Sequence, residues 1–172
     1  MTDIELQKTC EQQLRTWIEE YRTTMLRICI VYLSDVSQAE DAVQETFLKA
    51  WKSSDSFEGR NGCSEKTWLI SIAINTCRSM LRTRWFRHID TSKSIENLPF
   101  EAISLPPEDR DLLIDITRLP EKYKSVLLLY YYQDMTQQEI ADILGISRSL
   151  VDYRLHKALN KLKITLREEE RS

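Results

Sequence analysis

The side chains in this sequence with the clearest capacity to bind something are the cations between Arg148 and Lys163. Arg148, Arg154, Lys157, Lys161 and Lys163 stand there against a single acid, Asp152. Guanidinium and ammonium groups bind phosphates, and a guanidinium can also donate a pair of hydrogen bonds to a guanine edge. The residues between them show what must hold them in place. Val151, Leu155, Ala158, Leu159 and Leu162 recur at three and four, which predicts a helix with one apolar face and the cations on the rest. Upstream, Thr136 followed three residues later by Glu139 reads as a capping box, in which hydroxyl and carboxylate each satisfy a free N–H at a helix start. Ile140, Ala141, Ile143 and Leu144 predict the buried face of a short helix. Gly145 can take positive φ at little cost, Ile146 can plug the corner, and Ser147 can cap the next helix. This is a helix-turn-helix with a basic second helix of the kind that enters the DNA major groove. A helical hairpin with a solvated basic face would carry the same cations. It would not require small Ala141, turn Gly145, plug Ile146, cap Ser147 and buried Val151 together.

The chain is 172 residues long, enough for one domain or two small ones. Its formal net charge of −3 is unevenly spread. Residues 1–45 carry nine acids against four bases, whereas residues 60–88 carry six bases against Glu65 alone. A second basic segment on an otherwise anionic chain suggests a second nucleic-acid contact. Three glycines and four prolines disfavour a turn-rich β architecture. No apolar run approaches the roughly 20 residues of a membrane span. The first residues lack the basic and apolar blocks of a signal peptide, so a cytoplasmic protein without membrane insertion is expected. Cys10, Cys29, Cys63 and Cys77 form no C-x-x-C pair, and His88 and His156 stand apart from them. No metal site, cofactor or catalytic residue is therefore expected. Cys29 and Cys77 fall at helical core spacing and read as small buried hydrophobes.

The remaining periodicities predict further helices. Leu14, Ile18, Tyr21, Met25, Ile28 and Tyr32 mark a long first helix, broken at Leu33-Ser34-Asp35-Val36. Ser37 with Glu40 predicts a capping box opening a second helix, with Ala39, Ala42 or Val43, Phe47 and Trp51 inward. Its outer face carries Asp41, Gln44, Glu45, Leu48 and Lys52, a pattern open to two readings: a solvated surface or a protein-docking face. A polar loop, Ser53 to Ser64, includes Gly59, Gly62 and Phe57. A third helix from Glu65 to about Trp85 is expected to turn Trp68, Leu69, Ile72, Ala73, Thr76, Cys77, Met80 and Leu81 inward. Arg78, Arg82 and Arg84 with Asn75 lie outside that face, either as a basic helix end favoured by the helix dipole or as a track for a DNA strand. From about His88 the periodicity fails and Pro99, Pro106 and Pro107 appear. The expected architecture is all-α: two small helical domains, 1–88 and 108–172, joined by a flexible linker over 89–107, the second with the helix-turn-helix. In that second domain Glu108–Leu119 and Glu121–Gln133 are predicted helices, the latter with Val126, Leu127 and Tyr130 inward.

Three stretches in this order resemble bacterial sigma factors of the extracytoplasmic-function group: AEDAVQETFLKAW from Ala39, KTWLISIAINTCRSMLR from Lys66, and the run from Leu119 to Leu159 that contains the helix-turn-helix. The resemblance covers most of the chain. It implies two helical domains that bind core RNA polymerase and direct it to promoter DNA. Asp41, Gln44, Glu45 and Leu48 match the face that docks on the clamp helices of the polymerase's largest subunit. Ser56, Phe57, Arg60, Asn61 and Lys66 fall in or beside the element that, with Asn75, captures a base flipped from the minus-ten element. Arg78 and Arg82 would hold phosphates there. Arg148, Ser149, Asp152, Tyr153, Arg154, His156 and Lys157 match the positions that meet the minus-thirty-five element. An anti-sigma protein is implied as a further partner. The sequence departs from the group in two places. Leu150 and Asp152 stand where Thr and Lys or Arg are usual, so that Asp152 either accepts from a cytosine amine or faces solvent. Glu65 stands where an aromatic usually precedes the Thr-Trp-Leu motif.

Two other function classes account for less of the sequence. A stand-alone helix-turn-helix regulator, such as a response regulator or repressor, would account for the last motif but not the first two. An enzyme would need a nucleophile, base and acid or a phosphate-cradling glycine loop, and two isolated histidines supply neither.

Overall fold

The computed structural model describes residues 2–57, 63–86 and 107–170. Among them every regular element is helical. The chain divides into two compact units, residues 1–93 and 94–172. The expected linker lies outside the described residues except for Pro107, which already begins a helix.

Unit 1 is a bundle of three helices: α1 (Asp3–Leu33), α2 (Val36–Lys52) and α3 (Glu65–Phe86). α1 opens on a capping box between Thr2 and Glu5, and the hydrogen bonds from Thr2 hold the Glu5 carboxyl below its usual range. It ends at Ser34, whose N–H still bonds the Ile30 carbonyl at 2.8 Å while its left-handed backbone (φ 53°) turns the following chain out of the helix. The start of α2 differs from the sequence expectation. Asp35, not Ser37, is the cap, its carboxylate accepting from Gln38 N–H at 3.0 Å. The left-handed turn at Ser34 reverses the chain within one residue, so the next side chain able to cap is Asp35.

Met25, Ile28, Cys29 and Tyr32 of α1 meet Ala39, Ala42, Val43, Phe47 and Ala50 of α2 in the core. The three alanines carry no side chain beyond Cβ, which lets α2 lie close to its neighbours. Trp51, expected inward, is instead 40% exposed, because the small Ala50 and the buried Thr46 take the inner positions. α3 contributes Leu69, Ile70, Ala73, Ile74 and Cys77. Ile72, Met80 and Leu81 stay half-buried, and Ile70 and Ile74 replace them, a rotation of the apolar face toward the i, i+4 pairs that both neighbouring helices can cover.

Unit 2 comprises α4 (Pro107–Arg118), α5 (Glu121–Leu127), α6 (Gln137–Leu144) and α7 (Arg148–Glu170). α5 runs on into a π-helical turn, Leu128–Tyr132. The wider turn adds a residue to the register, so Leu128 and Leu129 both enter the core while Tyr130, expected inward, is 37% exposed. Tyr130 and Tyr131 pack edge-on, with ring centroids 5.0 Å apart. The core is completed by Val126 and Leu127, by Ile140, Ala141 and Leu144 of α6, and by Val151, Leu155, Ala158 and Leu162 of α7.

Cys29 and Cys77 are buried as expected, facing each other across α1 and α3. Their mutual hydrogen bond and their burial push the Cys29 thiol well above its usual range, which starves it of reactive thiolate. In the native protein at pH 8, iodoacetamide should therefore label the half-buried Cys10 and Cys63 and leave Cys29 and Cys77 unmodified until denaturant is added. Mass spectrometry of the labelled peptides checks this, and a Cys29 that reacts as fast as Cys10 contradicts the packing.

Candidate functional site

The outer face of α2 is fixed by its inner one. At 100° per residue, the buried stripe Ala39-Ala42-Val43-Thr46-Phe47-Ala50 and the stripe Asp41-Gln44-Glu45-Leu48 are centred about 180° apart. All four of the latter are exposed, Leu48 at 47%. Lys49 stands at the edge of this face. Its ammonium lies 3.5 Å from Glu45 and donates to the buried Thr76 hydroxyl of α3 at 3.2 Å. The acidic face is thus tied to the helix that carries Asn75. Nothing in the sequence signals that link, because Lys49 and Thr76 are 27 positions apart.

The second candidate region lies at the start of α3. Ser64 caps the helix, its hydroxyl accepting from Thr67 N–H at 3.1 Å. Phe57, at the end of the 3₁₀ turn Ser54–Ser56, stacks on Trp68 with centroids 4.7 Å apart and planes inclined by 24°. Trp68 in turn meets buried Trp17 of α1 edge-on at 5.5 Å. Each such ring pair is worth about 0.5–1.5 kcal/mol beyond area burial. Together they anchor one end of the loop to the bundle. Glu65, the departure from the usual aromatic, accepts from Gln13 Nε2 at 3.1 Å and so pins α3 to α1. Along α3, Lys66 and Arg78 are half-buried, whereas Asn75 and Arg82 are exposed. The positions Arg60 and Asn61 fall outside the described residues, and of Ser56 only the backbone is described.

In unit 2 the turn between α6 and α7 follows the sequence closely. Thr136 Oγ1 accepts from Glu139 N–H at 3.2 Å, and Glu139 Oε2 accepts from Thr136 N–H at 2.8 Å. Gly145 closes α6 in the left-handed region (φ 66°), its N–H bonded to the Ala141 carbonyl. Ser147 Oγ accepts from Leu150 N–H at 3.1 Å, and Ile146 is half-buried at the corner. Val151, Leu155, Ala158 and Leu162 face the core, which leaves Arg148, Ser149, Asp152, Tyr153, His156 and Lys157 exposed and Arg154 half-buried. Lys157 Nζ lies over the Tyr153 ring at 5.6 Å from its centroid, and Lys161 Nζ over Tyr123 of α5 at 5.7 Å. These cation–π contacts hold two of the long side chains in place.

Asp152 does not stand alone in solvent. Gln137, the first residue of α6, donates from Nε2 to Asp152 Oδ1 at 3.1 Å across the turn. His156 Nδ1 lies 2.9 Å from the Asp152 carbonyl oxygen and 3.6 Å from Oδ2. A carbonyl can only accept, so the ring proton is on Nδ1 and Nε2 points away from that bond.

Among the described residues no helix is long and apolar enough to cross a membrane, and no cluster of three or more His, Cys, Asp or Glu could hold a metal ion. The arrangement offers exposed charge and amide groups on three helix faces, suited to binding.

Comparison with known proteins bears on the same segments. Residues 17–87 match the family Sigma-70 region 2, and residues 116–162 match Sigma-70, region 4. The ECF RNA polymerase sigma factor SigL of Mycobacterium tuberculosis is 31% identical over 161 residues, covering 90% of this chain and 89% of that protein. RNA polymerase sigma factor SigV of Bacillus subtilis is 29% identical over 165 residues, covering 96% and 98%. In structure the chain resembles the sigma factor RpoE of Bartonella quintana, solved in complex with the anti-sigma factor NepR, with a TM-score of 0.75 at 23% identity, covering 91% of this chain and 98% of that one. CnrH, solved with the cytosolic domain of CnrY, gives a TM-score of 0.67 at 19% identity, covering 92% and 90%. At those identities the two structures attest the shared fold.

The positive φ of Gly145 yields a direct test of the turn. No atom lies within 4 Å of where a Cβ would stand, so only the backbone strain of a left-handed L-residue opposes substitution. Gly145→Ala should cost about 1–2 kcal/mol in denaturant unfolding, and Gly145→Asn less, since an asparagine side chain bonds locally in this conformation. An alanine variant as stable as the parent would contradict the turn geometry.

Proposed function

The chain belongs to the extracytoplasmic-function RNA polymerase sigma factors and is a promoter-specificity subunit, and from that premise we propose how its faces divide the work. The stripe Asp41-Gln44-Glu45-Leu48 docks on the clamp helices of the largest polymerase subunit. Its exposed carboxylates suit a basic partner surface, and exposed Leu48 supplies an apolar centre within a polar rim. The loop anchored by Phe57, with Arg60, Asn61, Lys66 and Asn75, captures a base flipped out of the minus-ten element. Flipping costs a few kcal/mol of stacking, so a pocket that rewards the correct base couples recognition to strand opening. An exposed amide such as Asn75 both donates and accepts, as base reading requires. Arg78 and Arg82 follow the strand through phosphate contacts, which position without choosing sequence.

In unit 2, α7 enters the major groove of the minus-thirty-five element. Arg148, Ser149, Tyr153, Arg154, His156 and Lys157 meet phosphates and base edges there. The protein has no catalytic activity of its own and works in the cytoplasm. An anti-sigma protein is a further partner, as it is for the Bartonella sigma factor solved with NepR. It would act by covering the same faces.

The observation that carries this reading is the acidic stripe of α2, set opposite a buried alanine stripe. A regulator that only binds duplex DNA has no use for it. Transcription in vitro from a promoter library with purified core polymerase tests the reading. Initiation should depend on promoter sequence and occur only when this chain is added. Tight duplex binding by the protein alone, without initiation, would instead favour a stand-alone regulator.

A further inference from the structure

Asp152 is the one acid on the exposed face of α7 between Arg148 and Lys163. On a surface that approaches phosphates an acid is repelled, and it can form no phosphate contact. Yet it is not turned away. Its carboxylate is about half exposed, at 52%. It is held across the turn by Gln137 Nε2 at 3.1 Å, on the side of α7 that faces α6. Arg148 and His156 lie one turn before and one turn after it, and Lys157 follows. An ionised carboxylate is acceptor-only and has about four lone-pair sites. Gln137 engages one at Oδ1, and His156 Nδ1, bonded to the backbone carbonyl, stands 3.6 Å from Oδ2.

The groove offers such a group few partners. Guanine shows only acceptors, N7 and O6, to the major groove, and thymine an acceptor and a methyl group. Adenine offers its N6 amine beside the N7 acceptor, whose lone pair repels a carboxylate and suits an amide instead. Cytosine offers the N4 amine alone. Resting on the reading of α7 as the helix that enters the minus-thirty-five element, we infer that Asp152 is a specificity-determining residue that selects cytosine at one position by accepting from its N4 amine, with Gln137 as the residue that positions it.

Gln137 is suited to this by its place. It is the first residue of α6, and the first helix of a helix-turn-helix crosses the DNA backbone. With one amide hydrogen given to Asp152, the second is left to donate to a phosphate. The same side chain then fixes the carboxylate and registers it against the backbone. Its amide also offsets part of the repulsion between Asp152 and the phosphates. His156, bonded through Nδ1 to the Asp152 carbonyl oxygen, holds the other end of the turn.

The experiment is selection of initiation sites by reconstituted holoenzyme from templates randomised through the upstream element. The parent should prefer cytosine at one position by roughly tenfold. Asp152→Ala should abolish that preference and leave preferences at the other positions intact. Asp152→Asn should move it from cytosine to adenine, because an amide matches the adjacent N6 donor and N7 acceptor. Gln137→Ala should weaken the preference at that position alone, by a few fold, an effect that mere loss of stability would spread over every position. Asp152 is exposed and Gln137 half-buried at the start of α6, outside the core, so thermal unfolding should be nearly unchanged. Asp152→Ala that raises initiation by the same factor on all templates, or leaves the base profile unchanged, overturns the inference while the reading of α7 stands. An upstream element with no base preference for the parent overturns both.

Discussion

The two helices that carry the candidate faces, α2 and α7, each bury one apolar stripe, and that constraint decides which faces remain for partners. It is sharpest in α2. Ala39, Ala42 and Ala50 are fully buried, and their lack of bulk draws the helix close to α1 and α3. Once that stripe is buried, the opposite one must face outward. The acidic surface is thus a consequence of packing as much as of composition. In α7 the same logic holds: Val151, Leu155, Ala158 and Leu162 go inward, and most of the charged positions are left on the outer side of the helix.

Much of this was legible in the residues. The pattern of three and four located the helices, and Thr136, Glu139, Gly145 and Ser147 fixed the helix-turn-helix to the residue, because caps and a positive-φ glycine are local chemistry. Where the structure departs from these expectations, backbone geometry or packing partners that a periodic pattern does not encode decided. Asp35 displaced Ser37 as the cap of α2 because the left-handed turn at Ser34 sets where the helix can begin. The π turn after Leu127 rotated Tyr130 outward, and no periodic pattern anticipates an inserted residue. Ile70 and Ile74 took the places given to Ile72 and Met80, since α3 is isoleucine-rich on several faces and only its neighbours choose among them.

The candidate sites divide in the same way. Which residues stand on the outer faces of α2 and α7 follows from helical period alone. What joins them does not. The Lys49–Thr76 bond, the Phe57–Trp68–Trp17 ring contacts and the Gln137–Asp152 bond connect residues far apart in sequence. Asp152 shows the difference most clearly. In the sequence it is an anomaly on a basic helix; in the structure it is a carboxylate held by an amide from the preceding helix. The family assignment gives the chain a polymerase to ride on and promoter DNA to mark, and the proposed division of labour among these faces follows from it.

The central claim is that burying the alanine stripe of α2 presents Asp41 and Glu45 to the polymerase without those residues contributing to the fold. Affinity of the full chain for core RNA polymerase, measured for the parent and for Asp41→Arg combined with Glu45→Arg, tests it most directly. The account predicts that binding falls by at least tenfold, more than about 1.4 kcal/mol, while circular dichroism and thermal unfolding stay close to the parent's. Unchanged affinity for the polymerase, in a variant that folds normally, would contradict it.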